Sequence, residues 1–572
     1  MHLKRRLSLD DNGDNDVYDY GYDDNADAGS SRGPAKRIRI AEPVAASPPS
    51  RDIISTLPAE LLVRVFSYLN ETTLLDISTV SQLFRRIASD GQLWRVHYYR
   101  RFIVPRAHLI PGFRRAKTGG KLGGKDTSSA ANLYVRRENS LPGRVGKDCE
   151  SHPGTNVDWL KYYKLKHNWS RGRCSVDELR SRRRDPVTSG KTLVKVVEGL
   201  AVTADSISGL MVWDLRTRAS IAQADLDSRQ NMHSRPTCIA VDDEYLQDGK
   251  LGITVGFKDG SFGVWRVDIP TRELVRLCRP NQACLGGLLS VAYAYPYLLA
   301  ASRGGAITLW TLEPGEGKAA SLMTARGFDR QNGSTPRLLR SLRSQTTRVP
   351  VTLSIRRTSY SIVASIVYTI DTLDGWSIGI QDLDIHPSAN PCPDIVHSRV
   401  ATTVPKESSR ASSTCTPGES ACPTHSYNSC SPDGPIRLCY NHPYLLATLP
   451  DNTLMLHLCT STPDSLSISP GTRLWGHTSG ISDAEITARG KAVSVSARGD
   501  EIRVWELEGR MGGNSIEVRP REDQQDEPAE PKAIKASEDD YRRDKVGFDD
   551  EMVIVLKETL DGRESLMVYD FT

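Results

Sequence analysis

The chain has 572 residues, of which 38% are hydrophobic and 25% charged, and its formal net charge is +4. This length leaves room for about two or three domains, and so small a net charge gives no reason to expect a nucleic acid or a membrane surface as partner. No run approaches 18 apolar residues, and the first residues turn acidic where a secretory signal would need an apolar segment. The 11 cysteines form no CxxC pair, which predicts reduced thiols and a location in the nucleus, the cytoplasm or both.

Residues 1–50 form an acidic arm that carries one basic cluster. Asp dominates residues 10–27, which hold almost no aliphatic side chains. Burial could not offset the entropy of ordering such a segment, so we expect it to be disordered. Lys36, Arg37 and Arg39 follow a proline and resemble a short nuclear-import signal. The alternative is a solvated basic patch that balances the acidic arm, and the sequence leaves both interpretations open.

Residues 51–102 have the pattern of three short amphipathic helices. Pro58 suits the first position of the first helix, and Glu60 suits its first turn beside the positive end of the helix dipole. Polar capping residues then precede two further apolar stretches, within residues 70–80 and 81–91. Gly91 is expected to end the third helix.

One apolar stripe of this helical region has no evident cover in the sequence. It consists of six residues at helical spacing: Leu57, Leu61, Leu62, Val65, Phe66 and Leu69. A unit of about 50 residues is too small to build a comfortable core alone. Leaving six such side chains in water would forfeit on the order of 10 kcal/mol. The stripe therefore predicts a partner that covers part of it.

Residues 103–168 are predicted to be a linker with a helix near its end. Residues 103–157 lack periodicity and are rich in Gly, Arg and Lys. The stretch GGKLGGKDT at residues 119–127 nearly matches a phosphate-binding P-loop. Asp126 stands where the magnesium-binding hydroxyl should be, and no buried strand precedes the stretch. We therefore do not predict nucleotide binding.

Residues 169–572 consist of short strands with a recurring ending. Seven such endings can be counted, and they close at Leu215, Val267, Leu312, Leu383, Leu458, Leu507 and Phe571. Most follow a turn rich in Gly, Asn or Asp, which allows the positive φ angles of tight hairpins. Two inserts, about 388–436 and 509–547, lack the apolar content to fold, and we expect them to be disordered loops on a repeating scaffold.

The helical region resembles an F-box in its apolar residues. The matching positions are Leu57, Pro58, Leu61, Leu62, Val65, Phe66, Leu69, Leu74, Leu75, Val80, Phe84, Leu93 and Trp94. Phe84 stands where that family often has Trp. The resemblance implies that these residues bind a Skp-type adaptor.

The seven endings resemble WD repeats, in which such a motif closes the third strand of each propeller blade. Gly476 and His477 retain the Gly-His dipeptide of that family, and in the same blade Ser496 and Trp505 match its hydrogen-bonded network. Residues 158–174 resemble the helix found between the two domains in F-box/WD-repeat proteins. The resemblance implies a multidomain chain, with a small all-α F-box at 51–102 followed by an all-β seven-bladed propeller at 169–572.

That family resemblance implies a receptor subunit and not an enzyme. Such a protein binds a Skp-type adaptor, which links it to a cullin with a RING subunit, and its propeller holds a protein substrate for ubiquitination. The sequence does not identify the substrate or show whether it is phosphorylated. The alternative is a nuclear WD-repeat scaffold that acts without ubiquitin transfer. We expect no catalytic residue and no cofactor. We expect no metal either, since Cys415, Cys422, Cys430 and Cys439 are spaced too widely for a zinc site. Arg303 and Arg498 occupy matching turns of two blades, and we assign neither a substrate role.

Overall fold

The computed structural model describes residues 52–107, 157–183, 192–226, 235–279, 286–313, 335–343, 347–358, 361–372, 375–386, 395–403, 434–497, 501–507, 515–520, 545–558 and 563–572. It divides into two compact units, Met1–Pro58 and Ala59–Thr572. In the first unit the described residues form one turn of 3-10 helix at Ile54–Thr56, and the Ser55 backbone N–H donates to Asp52. The acidic residues 10–27 and the import candidates Lys36, Arg37 and Arg39 lie outside the described residues.

Four short helices open the second unit. They are α1 (Ala59–Phe66), α2 (Glu71–Ser78), α3 (Gln82–Ala88) and α4 (Gly91–Tyr98). The side chains of Asn70, Ser81 and Asp90 cap α2, α3 and α4 by accepting hydrogen bonds from backbone N–H groups of the first turn. The prediction of three helices is therefore corrected. Gly91 begins a fourth helix because Asp90 caps it, and does not end the third.

The helical chain continues with a π-helical turn (Tyr99–Ile103) and α5 (Val104–Ala107), and after the undescribed residues with α6 (Trp159–Arg171). The Asp158 side chain caps the start of α6. Gly172 ends it with φ of 66°, the left-handed conformation that glycine adopts without a steric penalty. A Cβ at Gly172 would lie 2.0 Å from the carbonyl oxygen of Glu517, so the close approach also requires glycine. The predicted helix near the end of the linker is present.

Seven sheets of four or five strands follow, one per blade, and their strands pair antiparallel except for one parallel pair in blade 7, between its two strands Arg173–Arg183 and Arg519–Pro520. Blade 1 contains β2 (Leu193–Val197), β3 (Leu200–Asp205), β4 (Gly209–Asp214) and β5 (Ala219–Ala224). Blade 2 contains β6 (Pro236–Asp242), β7 (Lys250–Phe257), β8 (Phe262–Asp268) and β9 (Glu273–Cys278). Blade 3 contains β10 (Leu288–Ala294), β11 (Tyr297–Ser302), β12 (Ala306–Glu313) and β13 (Thr335–Arg343). Within each of these three blades the strands pair in chain order.

Blades 4 to 6 repeat the pattern. Blade 4 contains β14 (Thr347–Arg357), β15 (Ile362–Thr372), β16 (Gly375–His386) and β17 (Ile395–Thr402). Blade 5 contains β18 (Arg437–Asn441), β19 (Tyr444–Thr448), β20 (Leu454–Ser461), β21 (Leu466–Ile468) and β22 (Thr472–Leu474). Blade 6 contains β23 (Ile481–Ile486), β24 (Lys491–Ser496), β25 (Ile502–Glu506) and β26 (Ser515–Glu517). In blade 5 both β21 and β22 pair with β20.

Blade 7 closes the ring by joining the two ends of the propeller sequence. It contains β1 (Arg173–Arg183), β27 (Arg519–Pro520), β28 (Lys545–Phe548), β29 (Met552–Glu558) and β30 (Arg563–Asp570). β1 pairs antiparallel with β30, so that Val176 faces Tyr569. The first strand of each blade contacts the first strand of the next, from β2 through β28 and back to β2. These seven first strands therefore line the ring's centre.

The seven predicted endings coincide with the third strands of the seven blades. The endings lie at or within three residues of the ends of β4, β8, β12, β16, β20, β25 and β30. The predicted fold class, an all-α F-box followed by a seven-bladed propeller, is confirmed.

Both predicted inserts are shorter than expected. β17 lies within 388–436, and β26, β27 and the first residues of β28 lie within 509–547. These segments have little apolar periodicity, but backbone pairing holds β17 to β16 and β26 to β25. The remaining undescribed insert residues are 388–394, 404–433, 509–514 and 521–544.

Candidate functional site

The F-box helices have a core of their own. Five of the predicted adaptor-binding residues are buried in it: Leu62, Phe66, Leu74, Leu93 and Trp94. The Trp94 indole N–H donates to the Ala88 carbonyl at 2.7 Å, and the Phe84 ring meets Phe66 edge-on at 5.5 Å. The apolar stripe predicted as uncovered is thus divided, since Leu62 and Phe66 face inward.

The remaining predicted residues lie at or near the surface. Leu61 and Val65 of α1, Leu75 of α2 and Val80 after α2 are about half exposed or more. Leu69 and Phe84 are half-buried. In the preceding unit, Leu57 and Pro58 are exposed. We call Leu61, Val65, Leu75 and Val80 the apolar F-box face.

Helix α6 belongs to two hydrophobic cores. Its first half packs on the F-box, where Tyr163 lies 5.0 Å from Trp94 and Trp159 lies 5.6 Å from Tyr98, measured between ring centroids. Its second half contributes Trp169 to the core of blades 6 and 7. One continuous helix therefore fixes the F-box to the propeller.

A polar network reinforces the F-box half of this junction. The Tyr163 hydroxyl donates to Glu71 at 2.9 Å, and Arg101 donates to both Tyr163 and Glu71. His97 lies 3.6 Å from the same carboxylate. The Glu71 carboxylate accepts a hydrogen bond from the Glu71 backbone N–H, and this bond is the largest cause that lowers its pKa. The Tyr163 hydrogen bond and the charges of His97 and Arg101 act in the same direction, and together these effects outweigh the opposing effect of burial. Glu71 is thus held ionised at the centre of the junction.

The propeller half of the junction is built on Trp169. Its ring stacks on Phe571 with centroids 3.8 Å apart and planes within 6°, and its indole N–H donates to the Asp550 carbonyl at 2.8 Å. The Asn168 side chain donates to the Phe571 carbonyl. The Lys491 ammonium lies 3.9 Å above the Trp169 ring. Burial, with the charge of Lys166, lowers the pKa of Lys491 to about 8.

The two ends of the ring differ in what they carry. The Trp169 indole N–H donates to the carbonyl of Asp550, and Asp550 lies in the turn that follows the first strand of blade 7. We call this end, where the first strands finish, the F-box end. The opposite end, where the first strands begin, is the open end. Because strands alternate in direction, the turn that contains Arg303 lies at the open end; Arg498 is outside the described residues.

The hydrogen-bonded network of blade 6 uses a different serine from the predicted one. Ser494, not Ser496, accepts from the Trp505 indole at 2.8 Å and contacts the His477 ring nitrogen at 2.6 Å. Trp505 pairs with Ala492 across the sheet, so its ring reaches the diagonal neighbour two residues on. Ser496 lies a further two residues along and accepts from the Glu501 backbone N–H.

Two further predictions concern a metal and a membrane. Of the four cysteines considered for zinc, only Cys439 lies within the described ranges. Over those ranges no group of three or more His, Cys, Asp and Glu side chains is arranged to hold a metal ion. Nor does any helix of the described ranges combine the length and apolar character needed to cross a membrane.

The architecture defines the class of this protein: an F-box protein with a seven-bladed propeller. An F-box-like family model matches residues 54–100, and the model of the F-box protein pof12 β-propeller matches residues 174–572. The chain therefore belongs to the F-box protein pof12 β-propeller family, which confirms the predicted resemblance.

Curated relatives are similar over a limited stretch. The probable E3 ubiquitin ligase complex SCF subunit sconB of Arthroderma otae is 22% identical over 173 residues, 30% of this chain and 24% of the relative. An F-box protein of Saccharomyces cerevisiae is 23% identical over 176 residues, 29% of this chain and 23% of the relative. Each match thus spans about a quarter of the relative's length.

Solved structures are similar at lower identity. The WD40 repeats of RRP9 align with a TM-score of 0.36 and 9% identity, over 69% of this chain and 97% of that one. The Cps50 (Swd1) β-propeller of Myceliophteria thermophila aligns with a TM-score of 0.37 and 10% identity, over 69% and 100%.

Proposed function

We propose that this chain is the substrate-recognition subunit of an SCF-type cullin–RING ubiquitin ligase. The F-box docks on a Skp-type adaptor, through which a cullin and a RING subunit are recruited, and the propeller holds a protein substrate. The order of the two domains and the relatives named as SCF subunits support this proposal. The observation that carries it is the apolar F-box face, which stays exposed although the F-box core is complete.

The energetics of that face favour a protein partner. Full burial of one such side chain is worth about 1.5 to 3 kcal/mol. Leu61, Val65 and Leu75 are already about half covered and Val80 about a third, so a partner that completes the burial of all four gains roughly 3 to 6 kcal/mol. That gain comes at no cost to the fold, because the buried Leu62, Phe66 and Leu74 keep their own partners.

The role of the subunit is positional. It holds a substrate at high effective concentration near the activated ubiquitin while other subunits perform the chemistry. The doubly packed helix α6 suits this role, because a rigid link fixes the distance between adaptor and substrate.

The test uses two exposed positions of α1, so that docking is separated from folding. Changing buried Phe66 would unfold the F-box, whereas Leu61→Asp with Val65→Asp places charge on the apolar F-box face alone. Val400→Asp is a matched control, because Val400 in blade 4 is 56% exposed and Val65 is 51% exposed. Tagged full-length chains are purified from cells, and adaptor and cullin are quantified alongside.

We expect the wild type and Val400→Asp to bring down adaptor and cullin, and the double variant to lose both at an unchanged melting temperature. Wild-type recovery of the adaptor by the double variant would contradict the docking proposal. Recovery of a helical partner without cullin would instead favour a scaffold that transfers no ubiquitin.

A further inference from the structure

The open end of the ring displays a tryptophan that takes no part in the core. Trp475 follows β22 and precedes the first strand of blade 6, and its side chain is 68% exposed. The large aromatic residues that anchor the propeller elsewhere, such as Trp265 and Trp505, are fully buried. Exposing so large a ring forfeits the burial energy that the same residue type supplies in the blades.

Trp475 is held in place by its neighbours in the chain. Leu474 before it is buried in the core of blades 5 and 6, and His477 after it is bonded to Ser494. A Cβ at Gly476 would lie 2.5 Å from the Ser515 hydroxyl and 2.9 Å from the Trp505 ring, so the backbone between them is tightly packed. Trp475 is therefore presented from a fixed backbone, which reduces the entropy lost when a partner binds.

Two exposed aliphatic side chains lie at the same end of the ring. Ile436 immediately precedes β18 of blade 5 and is 55% exposed, and Val349 near the start of β14 in blade 4 is exposed as well. Blades 4, 5 and 6 are consecutive in the ring. We call Val349, Ile436 and Trp475 the open-end apolar surface.

Among the described side chains, three arginines near this surface already have carboxylate partners. Arg473 lies under the Trp475 ring at 5.4 Å and pairs with Asp451 at 2.6 Å. Arg437 pairs with Asp483 at 2.7 Å. Arg503, in the next blade, pairs with Glu501. A phosphate approaching these guanidinium groups would meet a carboxylate beside each one, so this sector is poorly suited to a dianion.

We propose that the open-end apolar surface of blades 4 to 6 binds an unphosphorylated segment of the substrate protein through a bulky apolar side chain. The inference rests on the proposed function, which requires the propeller to hold a protein. Helix α6 occupies the F-box end, which leaves the open end for that protein. Trp and Arg are enriched in binding hot spots, and Trp475 is exposed on a fixed backbone beside Arg473. Because the arginines near Trp475 are paired with carboxylates, this surface favours an uncharged side chain of the bound protein.

The probe is a displayed library of random dodecapeptides, selected on the full-length chain in complex with its adaptor. A second library of the same design carries one fixed phosphoserine. Selected peptides are then titrated by fluorescence polarisation against the wild type, Trp475→Ala and Ile436→Asp. Ile207→Asp is the matched control, because Ile207 is 52% exposed at the open end of blade 1.

We expect the first library to yield peptides with an aromatic or long aliphatic residue. Trp475→Ala should weaken their binding by about 30-fold, Ile436→Asp by a similar factor, and Ile207→Asp should leave it unchanged. Enrichment that requires phosphoserine, absence of enrichment, or equal affinity for Trp475→Ala and the wild type would each overturn the inference. Adaptor recovery is measured on the same variants, so that failure at the open end is distinguished from failure of the F-box proposal.

Discussion

The attachment of the F-box to the propeller depends most on Trp169, and its replacement is the sharpest test of the junction. Trp169→Ala removes a fully buried ring, the stack on Phe571 and the hydrogen bond to Asp550. Loss of such a core aromatic costs about 3 to 5 kcal/mol. Trp169→Phe keeps a ring against Phe571 and leaves the Asp550 carbonyl without its donor, which costs about 1 to 3 kcal/mol.

The assay is native-state hydrogen exchange on the full-length chain, read at the amides of α6 and β30. We expect the free energy of opening of the second half of α6 to fall by these amounts, in the order wild type, Trp169→Phe, Trp169→Ala. Trp475→Ala is the control, because it removes the same side chain from an exposed position. If Trp169→Ala exchanges no faster than Trp475→Ala, the stack on Phe571 does not hold the two domains together.

Two further predictions concern the propeller. Lys491 has a pKa of about 8 in the folded chain against 10.5 as its ordinary value, so its buried charge costs stability at low pH and the cost falls as pH rises. The free energy of unfolding should therefore increase by about 1.3 kcal/mol between pH 7 and pH 9 because of this group. Lys491→Met should remove that increase in denaturant titrations at both pH values. Ser494→Ala should cost about 1 to 3 kcal/mol and shift the Trp505 indole N–H resonance, because Ser494 accepts from that group. An equal resonance shift in Ser496→Ala would show that the network is assigned to the wrong serine.

The repeat of the propeller was predictable because its signal is local. Each third strand carries the recurring ending, most follow a turn rich in Gly, Asn or Asp, and these local features predict all seven. The outer strand β17 is not predicted because half of its side chains are polar, and pairing with β16 adds to the packing of Val396 and Ala401. Strand pairing joins residues distant in sequence, and no local pattern records it.

The division of the F-box stripe could not be read from the sequence. Leu61 and Leu62 are adjacent and chemically equal, yet the first is exposed and the second fully buried. The difference depends on where α3, α4 and α6 pack, and α6 lies about a hundred residues further along the chain. Similarly, alternation places Ser494 and Ser496 on the same face of β24, and only the reach of the Trp505 ring selects Ser494.

Degenerate blade motifs are compatible with a closed ring because charged pairs join blades across the blade between them, independently of those motifs. Lys195 of blade 1 pairs with Glu485 of blade 6 across the glycine of blade 7's first strand, Gly547. In blade 4, Arg357 pairs with Asp242 of blade 2 and donates to the Tyr295 carbonyl of blade 3.

Pairs of this kind add little net stability, because desolvation offsets their attraction, but a misplaced blade would leave a charge without its partner. The pairs therefore act on the order and register of the blades, while apolar packing between blades supplies the stability. With both tasks met at the first strands, the third-strand motifs are free to vary, as Gln381 illustrates in blade 4, where it stands two residues before Leu383 as Trp213 stands before Leu215.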